Sequence, residues 1–114
     1  MVARYYITLP DASRARGQDA RFTFTAVGAE GFAEQLQAAL RTDDLFERWR
    51  LVQDDPDEVD PALGATDPGA TVEGQQQDLH VNLVVTSAIP GTVLKHRLRL
   101  LAGGHWELRD VTAA

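Results

Sequence analysis

The chain has no cysteine. Disulfides, thiolate metal sites and cysteine nucleophiles are therefore excluded, and the composition fits a reducing compartment. Lysine is almost missing as well, with Lys95 alone against ten arginines. Together with the many alanines, this skew associates the chain with a GC-rich bacterial genome. Serine occurs only at Ser13 and Ser87, and neither lies in a G-x-S-x-G elbow. No apolar run approaches the roughly 20 residues needed to cross a bilayer. The opening MVARYYITLP alternates like a strand and lacks the pattern of a signal peptide. These features give the expectation of a cytoplasmic protein without membrane contact.

What remains suffices for an ordinary core. With 114 residues and 44% hydrophobic content, one domain over residues 1–114 is expected, burying roughly two-thirds of the surface that the unfolded chain exposes. The net charge of −6 is concentrated in residues 43–78, which hold eleven acids against two arginines, while the flanking thirds are near neutral. A general nucleic-acid binder presents a basic field, so this balance speaks against one.

The pattern with most structural content is LHVNLVVTSAI, residues 79–89. Leu79, Val81, Leu83, Val85 and Ile89 share one side of an extended chain, with His80, Asn82 and Thr86 on the other. This predicts a central strand with one apolar face. Residues 2–9 alternate in the same way and end at Pro10. Residues 11–20 read as a loop, and 21–27 alternate again through Phe22, Phe24 and Ala26, which predicts a hairpin of two strands. Phe32, Leu36, Ala39 and Leu40 have helical spacing behind Gly28 and Gly31. After Thr42 and Asp43, Asp44 and Glu47 have the form of a capping box opening a second short helix. Residues 54–78, rich in proline, glycine and glutamine, read as a long acidic loop anchored through Val59 and Leu63. Residues 93–102 fit a helix with Thr92 as N-cap and Gly103 at its end, or a strand alternating with Lys95, Arg97 and Arg99; the helix accounts for Leu100 and Leu101 together. Residues 105–111 close the chain as a strand with Trp106 and Leu108 inward. The fold expected is α+β, in the order β-β-α-α-β-α-β, a four-stranded mainly antiparallel sheet with two to three helices on one face.

Chemistry is harder to find. GAEG at Gly28–Gly31 lacks the spacing and the lysine of a phosphate loop. The three histidines have no compact metal spacing, although strands bringing His80 and His105 together with Glu107, aided by Arg109, would form a small ligand or enzyme pocket. The run Asp54, Asp55, Asp57, Glu58 and Asp60 fails the calcium-loop spacing and suits docking of a basic partner by electrostatic steering. Lys95, Arg97 and Arg99 are the candidates for an anion or phosphate contact, but without interleaved aromatics, so nucleic-acid binding is the minority reading. The function expected is thus a non-catalytic protein-binding or adaptor module, as monomer or homodimer. It would use no cofactor and no metal, and its surface would be Asp54, Asp55, Asp57, Glu58 and Asp60 beside the open-face residues His80 and Asn82.

Overall fold

Two apolar alternations form the middle of the sheet. In β1 (Ala3–Leu9) Tyr5, Ile7 and Leu9 are buried, and in β3 (His80–Ser87) Val81, Leu83 and Val85 are buried. The strands run antiparallel with Tyr5 opposite Val85 and Ile7 opposite Leu83, so their apolar sides coincide. Two further strands, β2 (Thr71–Gln77) and β4 (Glu107–Ala113), flank this pair in the order β2-β3-β1-β4, every neighbour antiparallel. The computed structural model describes all residues, 1–114. It is α+β, combining this sheet with helices α1 (Ala29–Arg41), α2 (Asp44–Arg50) and α3 (Gly91–Ala102).

β1 leads through α1 and α2 to β2, with β3 lying between the two strands; β3 leads through α3 to β4, with β1 between. Two split β-α-β units thus interlock, the arrangement called ferredoxin-like. Topology of this kind hosts many activities and implies none. Phe32, Leu36 and Leu40 of α1 and Leu94, Leu98 and Leu101 of α3 join the apolar sheet face in one core. Arg4, Tyr6, Thr8, His80, Asn82 and Val84 point to the other face, which carries no helix, and the molecule is only 19 Å across its shortest axis.

Four sequence expectations are corrected. Residues 21–27 form no strand. Their alternation is real, with Phe22 and Phe24 buried, but the chain packs on helix ends: the Phe24 amide donates to the Leu101 carbonyl, and Gln35 Oε1 accepts from the amides of Thr25 and Ala26. A strand is present instead at Thr71–Gln77, inside the segment read as loop. As an edge strand it buries only Val72, so its sequence shows no apolar face. The α2 capping box does not form: Asp43, not Asp44, occupies the N-cap and makes no side-chain cap bond, and Glu47 pairs instead with Arg50 at 2.9 Å. α3, which resolves the ambiguity of residues 93–102, starts at Gly91 behind Pro90, so Thr92 lies within its first turn. Its end at Gly103, with φ +63, is as the sequence indicated.

Candidate functional site

The acidic segment is ordered by groups outside it. Pro56 and Pro61 open two short 3-10 turns, Pro56–Glu58 and Pro61–Gly64, at the first-turn position where a missing amide hydrogen costs nothing. Arg50 donates to the Pro56 carbonyl at 3.3 Å. Arg97 does more: it is completely buried, donates to the carbonyls of Leu63, Ala65 and Ala39, and stacks 5.4 Å above the Phe46 ring. Gly64 lies so close to that ring that an added Cβ would meet it at 2.7 Å. Further along, Asp67 accepts from Ser87 Oγ and from the amides of Ala88 and Gly69, tying the segment to the end of β3.

The carboxylates of the acidic run make no ion pair. Asp54, Asp55, Asp57, Glu58 and Asp60 are all exposed. The four ion pairs of the molecule, Arg14–Asp11, Arg21–Asp19, Arg50–Glu47 and Arg109–Glu107, include none of them. Asp60 accepts from the Ala62 amide at 2.9 Å, and the charge of Asp57 acts on Arg50. No group of three or more His, Asp or Glu residues is placed to hold a metal ion.

Of the three cations expected to grip an anion, Arg97 is withdrawn into the interior, leaving Lys95 and Arg99 one turn apart on the surface of α3. The sequence did hold a signal for this. Leu94, Arg97, Leu98 and Leu101 follow the spacing of one helical face, so Arg97 belongs to the apolar stripe.

His80 and Asn82 lie on the open sheet face, where Thr8 Oγ1 donates to Asn82 Oδ1 at 2.8 Å and Gln77 Oε1 lies 3.1 Å from His80 Nε2. The turn Pro61–Gly64, directly after the acidic run, packs instead on α2 and α3. The two parts of the expected partner surface therefore lie on opposite sides of the sheet. His80 and His105 are not brought together either, because β1 stands between β3 and β4. The shallow depression beside His80 is lined by Tyr6, Thr8, Asn82 and Arg109 without His105 or Glu107, and Glu107 is paired with Arg109 at 3.2 Å.

The largest cavity, about 640 Å³, is one that no sequence motif announced. It opens where residues 18–22, the end of α2 and the end of α3 meet, and both tryptophans of the chain, Trp49 and Trp106, line it with Phe22 and Leu100. Trp106 Nε1 donates to the Gly103 carbonyl, which fixes the indole, and Gln53 donates to the Trp49 carbonyl. Arg21 lies over Phe22 and bonds to Asp19 at 2.7 Å, and this partner holds the Asp19 carboxyl down to about 2. Compared with known proteins, the chain matches no family model, no curated protein and no solved structure.

Proposed function

We propose that the chain is a non-catalytic protein-binding module that presents residues 54–60 as a fixed acidic surface to a basic partner. The observation that supports this reading is the combination of five exposed carboxylates in no ion pair with a backbone tied by Arg50 at Pro56 and, just beyond the acids, by Arg97 at Leu63 and Ala65. No lysine or arginine occurs between Arg50 and Lys95, so the field of the surface is not cancelled from within the segment. Like charges held together weaken the folded state; such an arrangement repays that cost in association, where it steers an oppositely charged partner and rejects acidic ones. A surface ordered before binding loses less conformational entropy than a floppy tail of the same charge.

The test compares the wild type with a variant carrying Asp54→Asn, Asp55→Asn, Asp57→Asn and Glu58→Gln. Titration with an arginine-rich decapeptide should give saturable binding that weakens with added salt and is lost in the variant, whose unfolding midpoint stays at or above the wild-type value. In extracts of the native cells, a protein retained by the wild type should be absent from the variant. Equal peptide affinity and equal retention by the two forms would overturn the reading.

A further inference from the structure

We infer that the cavity between α2, α3 and residues 18–22 is a binding site for a small molecule made of a planar ring system bearing one carboxylate or phosphate. Its location and its chemistry are independent of the acidic surface. Its volume, about 640 Å³, lies within the range of small-ligand sites. Three aromatic side chains, Trp49, Trp106 and Phe22, converge on it from distant parts of the sequence. Trp106 is held by its bond to Gly103 and Trp49 by the His96 ring 4.5 Å away, so both indoles are fixed before a ligand arrives, while Phe22, 4% exposed beneath Arg21, adds little open surface. Flat, preordered aromatic walls favour a flat, polarisable guest.

The sign of the guest follows from what is already satisfied. Both helices end at this cavity, and helix C-termini favour cations. Here, however, most of those carbonyls are engaged: Trp49 by Val52 and Gln53, Arg99 by Gly103, Leu101 by Phe24, and Gly103 by Trp106. Arg21 and Asp19 neutralise one another. Arg99, exposed at the rim, is the one charged lining group with neither an ion pair nor a hydrogen bond inside the molecule. A guanidinium of this kind at the mouth of an aromatic cleft matches a carboxylate or phosphate, which it can bind through two parallel N–H donors. The floor offers Gln53, whose amide oxygen accepts from no group in the protein, as a hydrogen-bond acceptor for a ring substituent.

The experiment follows the two indole N–H resonances of the intact protein by NMR during titration with 2-naphthoate and, separately, with protonated 2-naphthylmethylamine. The carboxylate should shift both resonances along one saturable curve, and the amine should bind more weakly. Arg99→Gln should weaken the carboxylate about tenfold, the loss of a solvent-exposed two-donor contact, and should strengthen the amine, which no longer meets a like charge. A second variant, Gly104→Phe, adds a ring at a lining position where a Cβ meets nothing within 4 Å, so it should block binding while the amide spectrum stays folded. Failure of 2-naphthoate to move both indole signals overturns the site. Equal binding of acid and amine, or an Arg99→Gln variant with wild-type affinity for the acid, overturns the assigned charge.

Discussion

The buried guanidinium of Arg97 and the backbone carbonyl of Leu63 form the joint between α3 and the acidic segment. No carboxylate pairs with this cation. Its charge is met by carbonyl dipoles from Leu63, Ala65 at 3.1 Å and Ala39 at 3.2 Å, the last in the final turn of α1. Burial pulls the Arg97 pKa below the ordinary arginine value, opposed by the charge of Asp43, and the group stays protonated. Arg97→Met keeps the stem and removes every donor, leaving three carbonyls without partners. The expected cost is about 3 kcal/mol of unfolding free energy in urea, with Arg97→Lys losing less. Hydrogen exchange should show residues 61–66 opening before the sheet does. Unaltered protection there would separate Arg97 from the ordering of the segment.

The contrast between Arg97 and Val81 shows what the sequence can carry. Val81, Leu83 and Val85 alternate on a strand buried along one face, and the periodicity of the residues is the periodicity of the burial. Arg97 stands on an apolar face with a polar name, so any reading that scores residue type assigns it to solvent. β2 was hidden for the opposite reason. An edge strand that buries only Val72 needs no alternation, and TVEGQQQ carries none. The aromatic cavity is assembled from residues 18–22, 49–53 and 99–106, which meet only when α2 and α3 pack. No linear pattern connects them. The acidic segment was legible as composition, while its order was not, because the groups that clamp it, Arg50 and Arg97, lie outside it.

Asp67 supplies an acid-sensitive joint. Hydrogen bonds from the Ala88 amide, the Ser87 hydroxyl and the Gly69 amide hold its carboxyl below the usual value of 3.8. A folded-state pKa lowered in this way contributes stability that is complete above 3.8 and lost as the pH falls through the lower folded value. Asp67→Asn should therefore unfold at lower urea concentration than the wild type at neutral pH. The two midpoints should converge in acid, and a gap that persists unchanged at low pH would assign the effect to shape instead of charge.

His96 gives a dependence of the same sign at higher pH. Its imidazole lies 4.5 Å from the Trp49 ring and near Phe46, and Nδ1 is buried without a hydrogen-bond partner. Burial first, and then the charges of Arg97 and Arg99, push its pKa below 6.5. The unfolded chain binds a proton in that window and the folded one does not, so stability rises with pH up to and just beyond 6.5. Unfolding free energy measured from pH 5 to pH 8 should climb for the wild type. His96→Phe should flatten that part of the climb, and an identical slope in both proteins would remove His96 as its source.

Gly74 of β2 lies directly against the start of α1, and its substitution tests that packing. A Cβ there would lie 2.5 Å from the Ala29 carbonyl oxygen and 3.3 Å from Ala33 Cβ, and the nearer contact is backbone at the start of a helix, which has no rotamer to yield. Glycine in a strand interior is otherwise unfavourable, by roughly 0.5–1 kcal/mol relative to alanine. Relief of that cost works against the clash. Displacing the first turn of α1 strains Phe32 and Leu36 beneath it, both fully buried, and overpacking of this kind costs about 1–3 kcal/mol. The clash therefore wins, and Gly74→Ala should be destabilised by about 1–2 kcal/mol after the propensity gain is subtracted. Gly104→Ala, where nothing lies within 4 Å, serves as the neutral comparison. Chemical denaturation of the two variants side by side checks this. If Gly74→Ala matches Gly104→Ala, α1 can slide along β2, and Gly74 is then not what fixes the helix against the sheet.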